Sequence, residues 1–334
     1  MPSYRLLFKD IVCDRVHEYI DLTEIELDIL KTYSLQRLRR IIQLSGVHFV
    51  YPGAMSSRFD HSLGVMHVAS QMAQHLGSKY GWDDETIQDI RLGGLLHDIG
   101  HGPYSHCFDV FLKKKNKSIN HEDIGYVILR TDQELRKVLE KYAEKCSQTK
   151  DVEEKIKRIA HIAWNPDKGR DIYSDIIHGP PHCADILDYL LRDSRSTGVK
   201  YGEVDLRRLI MCSDEFNGKL GMEKRAYEAY EAMIYGRLNM FRTVYWHRTT
   251  TAADNLLIEV LDAVNRYYTA KFNEGASEKI SSFFLYAVDS LKASPSTYLA
   301  IDDTFVISNM NEIHWTPEKE LSSILSKDEI DEIK

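Results

Sequence analysis

The sequence predicts a mainly α-helical protein with a short β segment at its N-terminus. Apolar residues recur at helical spacing over 57–80, 83–100 and 182–193, and residues 222–272 read as nearly continuous helix. Apolar–polar alternation, the strand pattern, is confined to the first two dozen positions. Gly and Pro fall at the ends of the helical stretches, at Tyr51-Pro-Gly and Gly102-Pro103.

Taken in order, short strands are expected at 4–8, 11–13 and 16–22. Thr23 or Thr32 then caps a helix with Leu38, Ile41, Ile42 and Leu44 on its apolar face. Opposite them Arg37, Arg39 and Arg40 form either a solvated face or a polyphosphate contact. Ser57 opens a helix to about Tyr80, with Leu63, Met66, Ala69, Met72, Ala73 and Leu76 inward; His67 and His75 on it are expected to be structural. Asp83 caps the next helix, which Gly102 and Pro103 cannot continue, so it ends near Gly100. Lys113 to Lys117 reads as an exposed charged loop, and His121 begins another helix. Residues 131–160 carry enough Leu, Val and Ile for amphipathic surface helices. Residues 164–182, with turns at Asn165-Pro166 and Gly179-Pro180-Pro181, read as loop. A strong helix follows over 182–193. Asp302-Asp303 caps a helix over 304–311, in a C-terminal part with no identifiable chemistry.

The densest chemistry lies at 93–106, where His97, Asp98, His101 and His106 fall within ten residues beside a helix break. Neutral imidazole and carboxylate are the ligand types that divalent Mn, Fe, Zn or Mg accept. His61, in the first turn of its helix near Arg58, reads on its own as a cap, a core histidine or a ligand. Asp185 falls between apolar turns, a costly place for a charge unless it is paired or metal-bound, which makes it a candidate distant ligand.

The 334 residues allow one large domain or two ordinary ones, and 43% hydrophobic content suffices for a core. A net charge of −8 disfavours a nucleic-acid groove but not a nucleotide pocket. No run approaches the ~18 apolar residues of a membrane helix, and residues 1–5 lack an apolar signal region, so a cytoplasmic protein is expected. Cys13, Cys107, Cys146, Cys183 and Cys212 are scattered and form no CxxC pair, so reduced thiols are expected.

Arg58-Phe-Asp-His61, His97-Asp98 and Asp185 together resemble the His…His-Asp…Asp pattern of the HD-domain metal-dependent phosphohydrolases. Gln36-Arg-Leu-Arg, Gln43-Leu44, Tyr51-Pro-Gly-Ala and the run from His97 to His106 resemble its deoxynucleoside triphosphate triphosphohydrolase branch, with similarity over about 5–265. The resemblance implies an HD helical bundle: an N-terminal β-hairpin arm over 1–30, a catalytic core over 31–265 and a small C-terminal helical lobe over 266–334. It implies a divalent metal (Mn, Fe, Mg, Zn or Ni) on His61, His97, Asp98 and Asp185. His121 then resembles the general acid, with Asp109 as its orienting partner and His101 beside them. Arg58, His101 and His106 would face a triphosphate, and Gln43, Leu44, Tyr189, Asp193, Arg237 and Tyr245 would contact the nucleotide. The implied reaction is hydrolysis of a deoxynucleoside triphosphate to nucleoside and tripolyphosphate, through attack of metal-activated hydroxide on the α-phosphorus. Action on another nucleotide phosphoester, or nucleotide sensing with little turnover, are the alternatives.

Two departures weaken the match. Ile186 stands where triphosphate-binding members have lysine, and Lys31 stands where a guanine-reading aspartate occurs, which argues against a guanine activator site. A dimer or tetramer is expected by resemblance, without membrane or nucleic-acid partners.

Overall fold

The chain opens with an antiparallel hairpin, β1 (Phe8–Asp14) and β2 (Glu18–Thr23), in a register that pairs Asp14 with Glu18 and Val12 with Ile20. This is a computed structural model that describes residues 4–165, 169, 171–274, 276–322, 325–328 and 330. The three expected strands reduce to two. Residues ahead of Phe8 are tied to a helix instead, Tyr4 donating to Gln88 Oε1 and the Leu6 amide to Asp84 Oδ2.

Helices α1 (Glu24–Leu30) and α2 (Tyr33–Arg37) follow. The helix expected through Leu44 stops at one 3-10 turn, Leu38–Arg40. Beyond it Ile42 is extended, bridging Ser57, and its amide donates to Asp303 Oδ2. A tertiary carboxylate here outbids the helical hydrogen bond. The arginines are not a shared solvated face. Arg37 is fully buried and donates to the carbonyls of His101 and Ile301. Arg39 covers the Phe59 ring, and Arg40 pairs with Asp302 at 2.5 Å.

Two long helices carry the centre of the molecule. In α3 (Arg58–Tyr80) the Ser57 hydroxyl accepts from the Asp60 amide while the Asp60 carboxylate accepts from that of Ser57, a reciprocal cap. In α4 (Asp84–Leu96) Asp83 caps as expected, but the helix ends at Leu96, a turn earlier than Gly100. There follow α5 (His106–Lys114), α6 (His121–Thr131), α7 (Gln133–Lys145) and α8 (Val152–Trp164). The expected lysine loop is half helix: Lys113 and Lys114 end α5, while Lys115 and Lys117 pair with Asp262 and Asp289.

The stretch 164–182 is not all loop, because α9 (Ile172–His178) lies within it, started by a reciprocal cap between Asp171 and Ser174. Pro166 of the expected turn lies outside the described residues. Next, α10 (Ala184–Thr197) ends on Gly198 in the left-handed region at φ 76°. After α11 (Leu206–Met211) comes a hairpin the pattern did not announce, β3 (Ser213–Phe216) with β4 (Lys219–Met222). The long helix expected over 222–272 is divided. A 3-10 turn leads into α12 (Tyr227–Met240), a π-helical turn Phe241–Tyr245 follows, and α13 (Arg248–Asn273) restarts after His247. The C-terminal part holds α14 (Phe283–Ser290), α15 (Ser296–Leu299), α16 (Asp303–Trp315, capped by Asp302) and α17 (Glu318–Leu321).

In the core, α3 packs along α4, with α8 against α4 and α10 against α3. One apolar cluster joins the hairpin, α4 to α8 and the C-terminal helices; a second gathers α3, α9, α10 and α12. The C-terminal lobe therefore shares its core with the centre of the molecule. No helix among the described residues is long and apolar enough to cross a membrane.

Candidate active site

Three helices deliver four donors to one point. The first turn of α3 supplies His61, the turn just past α4 supplies His97 and Asp98, and the first turn of α10 supplies Asp185. His61 Nε2 lies 3.0 Å from Asp185 Oδ1 and 3.8 Å from Asp98 Oδ2, and His97 Nε2 lies 3.2 Å from Asp98 Oδ1 and 4.0 Å from Asp185 Oδ1. All are buried except the Asp185 side chain, which is 29% exposed.

The outer nitrogens decide what these contacts mean. His97 Nδ1 is 2.8 Å from the Gly94 carbonyl, and His61 Nδ1 is 2.8 Å from Asp188 Oδ2. Both partners only accept, so each Nδ1 carries the hydrogen and each neutral ring turns an Nε2 lone pair inward. The His97 Nε2 has no hydrogen-bond partner. Lone pairs thus face carboxylate oxygens, an arrangement that repels itself unless a cation lies between them. With a proton alone in that role, burial opposes charging His61, yet its bonds to Asp185 and Asp188 and the charge of Asp98 win and push its pKa up to about 10. His61, His97 and Asp185 bring one ligand atom each within 4.8 Å of one another, a set that fits a divalent metal ion with an open side, and Asp98, its carboxylate held by Arg58, stands beside them as a further oxygen donor. Such a set does not select one metal.

Beside it lies a second group. Asp109 Oδ2 accepts from His121 Nδ1 at 2.7 Å and faces His106 Nδ1 at 3.2 Å, while Asp109 Oδ1 accepts the His121 amide. Burial works against the His121 imidazolium, but the Asp109 bond and charge outweigh it and raise the pKa. His101 stacks on His121 at 3.8 Å, and burial together with Arg58 holds its pKa well below the imidazole range. One ring of the stack is disposed to charge and the other to stay neutral. Gly100 permits this packing, since a Cβ there would lie 2.0 Å from the His121 carbonyl oxygen.

Both groups open onto one cavity of about 560 Å³, within the range that holds small molecules. Arg58, Gln43, Leu44, Tyr189, Asp193 and Tyr245 line it as well. Arg58 is engaged with Asp98 at 2.7 Å and the Ser105 hydroxyl at 2.8 Å. Arg237 is not brought to the wall; it sits behind, donating to the Tyr189 hydroxyl. Tyr245 donates to Asp193 Oδ2 at 2.8 Å, Asp193 Oδ1 is unpartnered, and burial pushes the Asp193 pKa up to about 7. Tyr104 and Ser105 both sit at φ 55°, costing about 1–3 kcal/mol each. Bonds from Ser45 to the Tyr104 carbonyl and from Ser105 to the Ile42 carbonyl hold them there.

Sequence reasoning missed His178, Asp188 and Asp254. His178 and Asp254 line the cavity, and Asp188 backs His61. Asp188 gives only a weak local signal, an acid one turn before Arg192 on the helix that carries Asp185. Asp254 lies mid-helix in a Thr-Ala run and gives no local signal. A larger cleft of about 720 Å³ between the N-terminal segment and α7 holds no such donor cluster among the described residues.

The HD domain family matches residues 58–190, the span that carries all four donors. The uncharacterized protein YwfO of Bacillus subtilis is 30% identical over 92% of this chain and 66% of its own length. Deoxynucleoside triphosphate triphosphohydrolase SAMHD1 of Gallus gallus is 28% identical over 86% of this chain and 51% of its own. A crystal structure of a phosphohydrolase from Bacteroides thetaiotaomicron superposes with a TM-score of 0.73 at 26% identity, covering 94% of this chain and 75% of that one. The chain spans about half to two thirds of the length of these two curated relatives.

Proposed function

We propose that this chain, whose residues 58–190 match the HD domain family, hydrolyses a deoxynucleoside triphosphate to nucleoside and tripolyphosphate. The supporting observation is that a donor set fit for a divalent cation and a charged His121–Asp109 pair open onto the same cavity. A bound divalent cation supplies Lewis acidity and brings the pKa of a water near neutrality. His121, kept protonated by Asp109, donates a proton to the departing 5′ oxygen as the bond from that oxygen to the α-phosphorus breaks. His101, neutral beside it, offers a hydrogen-bonding ring without a competing charge. Arg58 balances negative charge next to Asp98, and His106 at the rim faces the outer phosphates. The Asp193 carboxyl, held through one oxygen by Tyr245, presents the other for a sugar hydroxyl, with Tyr189 as the neighbouring wall. Gln43 and Leu44 complete the nucleoside end.

One observation favours a second reading, an HD phosphohydrolase of a nucleotide with fewer phosphates. Among the described residues lining the cavity, Arg58 is the one arginine and there is no lysine; Arg237 is turned to Tyr189, and Ile186 packs in the second apolar cluster. A triphosphate would be served by few fixed charges. All five cysteines are free thiols, which suits the reducing cytoplasm we assign to it, and self-association as a dimer or tetramer belongs to the same reading. The deciding experiment incubates manganese-loaded protein with the four dNTPs, their ribo counterparts and the monophosphates, and resolves the products. Nucleoside with tripolyphosphate is expected. Orthophosphate from a monophosphate would establish the second reading, and no product from any nucleotide would overturn both.

A further inference from the structure

Behind the donor cluster a chain of buried polar contacts runs away from the cavity and ends in the N-terminal hairpin. His61 Nδ1 meets Asp188 Oδ2 at 2.8 Å, and the other oxygen of Asp188 meets His17 Nε2 at 2.6 Å. Arg192 grips the same carboxylate through Nε at 2.9 Å and Nη2 at 3.0 Å, and reaches Asp14 through Nη1 at 2.9 Å and Nη2 at 3.3 Å. Asp14 and His17 bracket the β1–β2 turn. Asp14 Oδ1 also accepts the amides of Val16 and His17, so the carboxylate that holds Arg192 shapes the turn that presents the imidazole.

The other features of this turn point the same way. Glu18 occupies the left-handed region at φ 62°, a conformation that a non-glycine residue keeps only when its surroundings insist. Arg15 donates to the Ser56 hydroxyl just ahead of the α3 cap. Gly64 of α3 leaves the necessary gap, because a Cβ there would fall 1.8 Å from Asp188 Oδ1 and 2.4 Å from Arg192 Nη2. The side chains of His17, Asp188 and Arg192 are 3% exposed or less, so water cannot replace a lost partner without opening the structure.

We propose that the hairpin turn is a working part of the metal centre: His17 is a positioning residue that, with Asp14 and Arg192, fixes Asp188 and through it the orientation of His61. The hairpin is distant in sequence from every ligand, so its seating sets how well the ligand is aimed. Outer partners of metal-binding histidines are worth about 10- to 100-fold in metal affinity. This inference rests on the reading of His61, His97, Asp98 and Asp185 as one metal site, not on the identity of the substrate.

The test measures Co(II) and Mn(II) affinity and the visible d–d spectrum of the Co(II)-loaded full chain. His17→Ala should weaken binding about 10-fold or more and alter the spectrum. His17→Gln, whose amide can still donate to Asp188, should recover most of both. Ile20→Val, a core truncation in β2 of the same hairpin, should lower Tm while leaving affinity and spectrum unchanged. Should His17→Ala not fold, Asp14→Asn replaces it and should weaken binding several-fold. Affinities and spectra of the His17 or Asp14 variants that match wild type, or a loss that follows Tm equally in Ile20→Val, would overturn the proposal. Failure of the wild-type chain to bind either metal would overturn the metal reading beneath it.

Discussion

Two clusters of histidine and aspartate lie side by side in this molecule, built from the same residue types and each compact enough to hold an ion. They differ in where their hydrogens are. Around Asp109 the polar groups satisfy one another, since the carboxylate accepts from the His121 ring and amide and faces the His106 ring. Around Asp98 and Asp185 the histidine hydrogens point outward, to Gly94 and Asp188, and the inward lone pairs confront carboxylates. One cluster holds a proton and the other is arranged to take a cation. Residue identity cannot separate them; the outer partners of each ring do.

The sharpest way to break this contrast is Asp98→Ala, which should abolish metal loading and bring hydrolysis to background with helical content retained, read by metal analysis, product assay and circular dichroism. His121→Gln should instead lower kcat by about 10²- to 10⁴-fold at unchanged metal stoichiometry. If it lost metal as well, the two clusters would be one site. Asp109→Asn sharpens the contrast through pH. Asp109 raises the folded-state pKa of His121, so the proton is present at low pH and lost as pH rises through a value above the usual imidazole range. The alkaline limb of the kcat–pH profile should therefore lie above that range in the wild type and move to lower pH in the variant, with kcat down about tenfold. The smallest effect is expected for His106→Ala. Its side chain is 68% exposed, so a change of about threefold or less, confined to KM, is the expected result.

The helical class and the caps at Ser57, Asp83 and Asp302 were readable because each depends on local spacing, whereas His61, His97, Asp98 and Asp185 were linked to one another only by the family resemblance. What escaped depends on distant partners. The amide of Ile42 left the helix for Asp303, some 260 residues on. Arg37, drawn as a surface charge, is buried because the carbonyls of His101 and Ile301 receive it. The divided helix after Met222 and the β3–β4 hairpin have no strong periodicity to announce them. Arg237 carried the right charge in an expected position, yet the Tyr189 hydroxyl turned it from the cavity. His17 and Asp188 were visible only as polar letters until the hairpin was seated.

The central claim is that a single cation belongs between His61, His97, Asp98 and Asp185. Anomalous diffraction from crystals grown with manganese tests it directly. The account predicts one strong peak bonded to all four side chains at distances near 2.0–2.3 Å; a peak among His101, His106, Asp109 and His121 alone, or none at either cluster, would contradict it.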